Sequence, residues 1–187
     1  MLAAIETTQT DRSDRLLSMV ACKLVNAGYM VSGALRVADP EHEPATCETT
    51  LKVLPDGPFV RLTQDLGQGS AACRMDAGAI EKVVGLATAR FQSGQSDFVV
   101  LNKFGLSEAQ GRGFRSLIGL ALQNRVPVLT TVGKTHRAAF DRFAEGMATI
   151  LPPDEGVVLD WCRQNGPFRE KSAWSEPKLN HPEWQGR

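Results

Sequence analysis

The sequence lacks the features that mark a secreted, zinc-stabilised or membrane-spanning protein. It has four cysteines in 187 residues and no C-x-x-C pair, which argues against a structural zinc site and against a disulfide framework. No apolar run approaches the ~18 residues that a transmembrane helix requires, and the amino terminus turns polar too early for a secretory signal. We therefore expect a reduced, cytoplasmic chain with no membrane partner.

An excess of charge of one sign is missing as well. The 21 Lys and Arg residues equal the 21 Asp and Glu residues, so no global basic field exists and duplex nucleic acid is disfavoured as a partner. No spacing supports a Ser-His-Asp triad or an H-E-x-x-H metal site. We assign no metal ligand, and we look for function in individual loops.

What the sequence does contain is an alternation of short apolar runs and helical stripes, which predicts a parallel sheet covered on both faces. Residues 47–54 and 59–63 flank a Pro-Asp-Gly turn and predict an antiparallel β-hairpin. We therefore expect one three-layer α/β domain over residues 1–164, with a mostly parallel sheet, followed by an extended tail over residues 165–187. The main strands are predicted at residues 2–5, 29–37, 98–101 and 126–132.

The stretch from Asp97 to Phe114, DFVVLNKFGLSEAQGRGF, is the centre of this pattern. Four apolar residues predict a buried strand, and Ser107 with Gln110 forms an S-x-x-Q capping box that predicts a helix start. Gly111 and Gly113 then fall inside the predicted helix, where each costs about 1 kcal/mol relative to Ala. Such glycines indicate close approach of the backbone to a ligand, or tight helix packing.

Ligands in open α/β sheets sit beyond the carboxyl ends of the strands. The loop after the central strand is therefore a candidate binding site, with Asn102, Lys103, Gly105 and Arg112 as ligand-binding residues. Lys103 and Arg112 suit an oxyanion. Glu108 is the nearest carboxylate and becomes the catalytic candidate if the chain hydrolyses a nucleotide.

The loop after the first strand, ETTQTDRS, stands where a phosphate-binding loop is expected, but it has neither Gly nor Lys. Arg12 and Ser13, together with the amides of a helix terminus, offer an alternative way to hold an anion. The other interpretation is a plain connection in which Ser13 or Asp11 caps the helix.

A second candidate loop is QDLGQGSAACRMD, residues 64–76. Gly67 and Gly69 allow unusual backbone angles, and successive amides at Gly69, Ser70 and Ala71 predict an anion nest, to which Arg74 adds charge and Cys73 a soft ligand or a thiolate. The alternative is a tight connection in which Cys73 is simply buried.

Two motifs, QDLGQGSAACRMD and LNKFGLSEAQGRGF followed by VPVLTTV, resemble a bacterial domain family of unknown function found near molybdenum-uptake or nitrogenase genes. That family is distantly similar to the THEP-type P-loop nucleoside-triphosphatases. The resemblance covers about Ala3 to Pro152 and implies a P-loop-NTPase-like α/β fold that handles nucleotides or oxyanions. The chain departs from those NTPases in lacking the Gly-Lys loop and in carrying Asn102 where they carry a metal-holding acid.

Three hypotheses follow. The first is a binding module for an anionic ligand, a nucleotide phosphate or an oxyanion such as molybdate, without efficient hydrolysis. The second is a divergent nucleoside-triphosphatase that uses Mg²⁺ and Glu108. The third is a structural protein that assembles, for example as a homo-oligomer, through its tail with Trp174 and Trp184.

Overall fold

The computed structural model describes residues 1–7, 10–37, 49–64, 74–94 and 96–168. Within these ranges, the helices are α1 (Thr10–Asn26), α2 (Ala77–Ser93), α3 (Leu106–Ala109), α4 (Arg115–Gln123), α5 (Lys134–Ala144) and α6 (Glu155–Asn165). The strands are β1 (Leu2–Thr7), β2 (Val31–Val37), β3 (Thr50–Val53), β4 (Phe59–Arg61), β5 (Thr63–Gln64), β6 (Arg74–Met75), β7 (Phe98–Leu101), β8 (Val128–Gly133) and β9 (Ala148–Leu151).

Seven of these strands form one mixed sheet in the order β4-β3-β2-β7-β8-β1-β9. β2, β7, β8, β1 and β9 are parallel, and the hairpin β3-β4 joins the edge of β2 in antiparallel pairing. β5 and β6 form a separate two-stranded antiparallel pair. The predicted α/β fold, a mostly parallel sheet with a small antiparallel hairpin, is confirmed.

The alternation of side chains along each strand creates two cores. In β1, Ala3 and Ile5 pack with α1 and α6 on what we call the α1 face. Leu2 and Ala4 pack with α2, α4 and α5 on the opposite face. The central strand β7 is buried along its whole length, as expected for a strand that helices cover on both sides.

Several boundaries agree with the sequence-based predictions. Phe98–Leu101 is the central strand. The sequence also predicts Asp76 as a helix N-cap, and it caps α2 by accepting hydrogen bonds from the Gly78 and Ala79 N–H groups at 2.8 and 3.2 Å. The sequence also predicts a helix over residues 155–164, and α6 begins at Glu155. Most of the predicted tail lies outside the described residues, and its role in assembly stays a prediction.

Two predictions about helix starts are wrong. α1 begins at Thr10, so Ser13 and Asp11 lie within the helix and neither is its N-cap. The apolar stripe marks only the turns that lie over the core, and the polar first turn carries no such signal. The sequence also predicts Thr135 as the cap of the helix after β8, but α5 begins directly after β8 with Gly133 as its N-cap. In the part of the chain that is described, no helix is long and apolar enough to cross a membrane.

Candidate functional site

The connections that follow β1 and β8 leave these neighbouring strands toward opposite faces of the sheet. The helix after β1 is α1, and the helix after β8 is α5, which packs on the opposite face. The two strands end level with one another, because Thr7 pairs with Gly133. We call the space above these two ends the β1–β8 crevice. Such a switch point is where open α/β sheets bind their ligands.

Lys103 reaches this crevice from the neighbouring strand β7. The loop after β7 follows the end of β8, because the Phe104 N–H donates to the Thr131 carbonyl at 2.8 Å. A β-carbon on Gly133 would lie 3.2 Å from Lys103 Cε, 3.3 Å from Lys103 Nζ and 3.9 Å from the Thr7 carbonyl oxygen. The lysine side chain therefore lies across Gly133, beside the ends of both strands.

Lys103 is half-buried in this position. Among the described residues, no carboxylate forms an ion pair with its ammonium group. A cation held without a counter-charge at a strand end attracts an anion from solution. This geometry makes Lys103 the central residue of the candidate site.

Glu108 organises the loop that carries Lys103. Its carboxylate is 6% exposed and accepts hydrogen bonds from the Gly105 N–H at 2.9 Å and from the Phe114 N–H at 3.0 Å. The two acceptor atoms are different, Oε2 for Gly105 and Oε1 for Phe114. Glu108 thus ties the start of α3 to the start of α4. The assignment of Glu108 as a metal-holding or catalytic carboxylate stays a prediction. The carboxylate already accepts hydrogen bonds from two backbone N–H groups.

The helix predicted to start at Ser107 and continue past Gly113 is instead two helices, and this prediction is wrong. α3 starts after Gly105, with Glu108 rather than Gln110 completing the cap. Gly111 and Gly113 have φ values of 83° and 61°, a left-handed conformation that ends α3 and that glycine adopts without strain. Neither glycine lies inside a helix.

Asn102 directly follows β7, and Thr131 lies two residues before the end of β8. The Asn102 N–H donates to the Ala34 carbonyl at 2.9 Å, and its own carbonyl accepts from Thr130 Oγ1 at 2.6 Å. Its side-chain Oδ1 is buried, as is Oγ1 of Thr131, and neither atom has a hydrogen-bond partner among the described residues. The backbone of Asn102 is therefore fixed, while its side-chain oxygen is available to a bound group.

The remaining predicted ligand residues take different positions. Arg12 is exposed in the first turns of α1, and Ser13 is buried in the same helix. Arg112 is exposed and donates to Gln110 in the turn between α3 and α4. The backbone of Arg74 lies in β6, but its side chain, with the whole of Gly67, Gly69, Ser70 and Cys73, lies outside the described residues. The meeting of that loop with Lys103 stays a prediction.

An ion pair beside the crevice was missed by the sequence reasoning. Arg137 on α5 donates to Glu6 Oε1 at 2.9 Å and to Asp141 Oδ1 at 2.9 Å. Hydrogen bonds to Asp141, and then the charges of Asp141 and Glu6, raise the pKa of Arg137. Glu6 is the penultimate residue of β1 and therefore lies close to the site, where the positive charge of Arg137 compensates its negative charge. Helical spacing between Arg137 and Asp141 was visible in the sequence, but the contact to β1 was not.

Comparison with known proteins gives two matches. A family model described as "Protein of unknown function (DUF2478)" matches residues 2–161. The Molybdenum import ATP-binding protein ModC 2 of Bradyrhizobium diazoefficiens is 33% identical over 165 residues, which are 87% of this chain and 18% of that protein. The chain thus spans less than a fifth of the length of this relative. No solved structure matches the chain significantly.

Proposed function

The chain belongs to the DUF2478 family, and from its geometry we propose that it is a binding module for a small anionic ligand. The ligand is a nucleotide phosphate or an oxyanion such as molybdate, and it is held without efficient hydrolysis. Its place is the β1–β8 crevice, between the end of β1, the end of β8 and the loop that follows β7.

The observation that carries this proposal is the position of Lys103 across Gly133. The ammonium group stands at the switch point of the sheet, half-buried. Two helices, α1 and α5, begin beside it, and their first amides favour negative charge. Arg12 adds a cation in the first turns of α1. We further propose that Gly67, Gly69, Ser70, Cys73 and Arg74 complete the site with amides, a hydroxyl, a thiol and charge.

The relative supports the choice of ligands to test first. Its name gives it both ATP binding and molybdenum import, which are the two ligand classes that the residues favour here. The match covers a small part of that protein, so the role of the matched segment there is itself part of the proposal. The expected THEP-type similarity and nitrogenase-gene context stay predictions.

Two side chains argue for weak turnover. Asn102 is neutral at the strand end, where a carboxylate is needed to hold Mg²⁺ strongly. Glu108, the acid of the loop that carries Lys103, has both oxygens bound by backbone amides. Among the residues that the structure describes, no group of three or more His, Cys, Asp or Glu side chains could hold a metal ion.

Isothermal titration with ATP, GTP, phosphate, molybdate and tungstate tests the proposal. A hydrogen bond to a charged group contributes about 1.5–3 kcal/mol, so we expect Lys103→Met to weaken the bound ligand roughly 10- to 100-fold. Lys82→Met is the matched control, because Lys82 is exposed on α2, away from the crevice. Absence of binding for all five ligands, or equal effects of both variants, contradicts the proposal.

A further inference from the structure

The α1 face of the sheet becomes polar at its carboxyl end. Near the carboxyl ends of β1, β7 and β8 lie Thr7, Asn102 and Thr131, and Ser13 is buried on α1; we call these four residues the polar layer. Ser13 is 1% exposed and stands four residues before Leu17 on the buried stripe of α1, so it points toward the sheet. Below this layer, the same face is apolar, with Ile5, Leu17, Val100 and Leu129.

Strand register places Asn102 beside Thr131. Val100 pairs with Leu129, and both pack on the α1 face. Thr131 lies two positions beyond Leu129 in β8, so the alternation of side chains puts it on that face as well. Asn102 follows β7 directly, and its carbonyl accepts a hydrogen bond from Thr130 Oγ1 at 2.6 Å, which brings it next to Thr131. Ile5, another residue of the α1 face, pairs with Thr131 from the other side. The two oxygens without partners among the described residues therefore belong to adjacent segments, Thr131 in β8 and Asn102 just beyond the end of β7.

Two such oxygens in one place require a third group. Thr131 is completely buried, and a buried polar atom without a hydrogen bond costs about 1–3 kcal/mol. Proteins commonly satisfy such atoms with a fixed water molecule that makes about three hydrogen bonds. Asn102 Oδ1 accepts a hydrogen bond from such a water, and Thr131 Oγ1 either donates to it or accepts from it.

We propose that Asn102 and Thr131 hold a water molecule against the phosphate bound beside Lys103, and that the chain slowly hydrolyses a nucleoside triphosphate. This inference rests on the proposed binding function. Thr131 comes two residues before Gly133, which is roughly 7 Å along a strand. The water thus lies beneath the crevice, and the terminal phosphate lies above it, against the Lys103 ammonium group.

In the step itself, the water oxygen bonds to the terminal phosphorus. The bond from that phosphorus to the bridging oxygen breaks, and the nucleoside diphosphate leaves with the electron pair. One water proton passes to the inorganic phosphate that forms. The nucleotide enters as its magnesium complex, so the metal comes with the substrate.

The polar layer orients this water without deprotonating it. Among the described residues, no carboxylate contacts Asn102 Oδ1 or Thr131 Oγ1. Asp14 on α1 forms an ion pair with Arg36 through Oδ2 at 3.5 Å. General-base catalysis contributes typically ~10²–10⁴-fold in rate, and its absence makes turnover slow. A loose transition state, with little bonding to the attacking water, still allows reaction.

Single-turnover phosphate release from magnesium-ATP and magnesium-GTP, with the full chain in excess, tests the inference. We expect Thr131→Val to slow release at least tenfold while the dissociation constant changes less than twofold. Thr131→Ser keeps the hydroxyl and should restore the rate. Thr50→Val is the matched control, because Thr50 is a buried β3 threonine, 3% exposed, whose Oγ1 also lacks a partner among the described residues. It should leave the rate unchanged.

The outcomes separate the two proposals. Binding of magnesium-ATP with no phosphate release, or release that Thr131→Val leaves unchanged, overturns the water-holding role and leaves the binding function standing. A rate that falls in both Thr131→Val and Thr131→Ser shows a packing effect and overturns it too. Absence of binding removes the binding function, and the inference with it.

Discussion

The ammonium nitrogen of Lys103 lies 3.3 Å from the point where a β-carbon on Gly133 would stand. Gly133 has φ −91° and ψ 161°, an extended conformation that alanine adopts freely. A methyl group at this position therefore strains no backbone, and its consequence is displacement of the flexible end of the lysine. Gly133 keeps open the space in which Lys103 meets the end of β1.

We expect Gly133→Ala to weaken anion binding about fivefold or more while leaving thermal stability unchanged or slightly raised. Replacing glycine by alanine lowers the conformational entropy of the unfolded chain, which stabilises the folded state by roughly 0.4–1 kcal/mol. This gain offsets the small cost of moving the end of the Lys103 side chain. Titration and thermal melting measure the two effects. Gly119→Ala in α4, where nothing lies within 4 Å of the new methyl group, is the control for stability without loss of affinity. Unchanged affinity in Gly133→Ala argues against Lys103 as the anion ligand.

A second prediction concerns Glu108 and Gly113. Because Glu108 holds two buried amides, Glu108→Gln should lower the free energy of unfolding by about 1–3 kcal/mol. It should also weaken ligand binding, since the loop that carries Lys103 loosens. Urea denaturation checks the first effect and titration the second. If this variant abolishes phosphate release at unchanged stability, Glu108 is a catalytic carboxylate and the structural role is wrong.

Gly113 gives an independent check on the same contact. A β-carbon there would stand 2.3 Å from Glu108 Oε1, whereas a β-carbon on Gly111 would meet nothing within 4 Å. Both glycines are left-handed, so both alanine variants carry a similar backbone cost of about 1–2 kcal/mol. Gly113→Ala should therefore be the more destabilising of the two. Equal free energies of unfolding would show that the carboxylate moves away without cost.

A third prediction uses ionic strength to separate two cations. Arg12 is exposed and Lys103 is half-buried, so solvent and salt screen the arginine more strongly. We expect Arg12→Gln to weaken anion binding less than about threefold at 0.1 M salt, and this effect to disappear near 0.5 M, where screening is stronger. The loss in Lys103→Met should persist at both concentrations. Titrations at the two ionic strengths measure both losses of affinity. If Arg12→Gln weakens binding as much as Lys103→Met does, and at both salt concentrations, the screening argument is wrong.

The sequence was sufficient for the central part of the fold because the signals there are local. Phe98–Leu101 is a short apolar run between polar segments, and such a run is buried wherever helices cover both faces of a sheet. The loop that begins at Asn102 follows the strand directly, so the rule that ligands lie beyond strand ends selected Lys103. Asp76 was recognised as a cap because its partners are two and three residues away.

The rest of the site depends on contacts between distant residues. Thr131 sits in the run VPVLTTV, which predicts only a buried strand, and its place beside Asn102 follows from the pairing of β7 with β8. The role of Gly133 depends on Lys103 lying across it, a contact between distant residues that no local pattern indicates. The break between α3 and α4 was missed because two left-handed glycines allow Glu108 to reach the Phe114 N–H, and helical periodicity contains no signal for that bond.

A fourth prediction follows from Cys162, whose thiol is buried beneath α6. Burial raises the pKa of Cys162 from 9.0 to about 12, and the charge of Arg163 lowers it by a smaller amount. Between these two values, the unfolded chain loses the proton while the folded chain keeps it. The unfolded state therefore binds fewer protons, and stability falls as pH rises through this range, at a limiting slope of about 1.4 kcal/mol per pH unit.

Urea denaturation at pH 8 and pH 10.5 measures this slope. Cys162→Ala removes the titrating thiol, so it should lose less stability between the two pH values than the wild-type chain does, even though its stability at pH 8 is lower because of the small cavity. Comparing differences within each chain cancels the cavity and the titration of lysines and the tyrosine, which both chains share. Cys22→Ala is the matched control, since burial raises the pKa of the partly exposed Cys22 as well, while its hydrogen bond with Asn26 and the charge of Lys23 lower it. Cys22→Ala should reduce the slope of unfolding free energy against pH less than Cys162→Ala does. Equal slopes for the wild-type chain and Cys162→Ala would show that the Cys162 thiol ionises as easily in the folded state as in the unfolded chain.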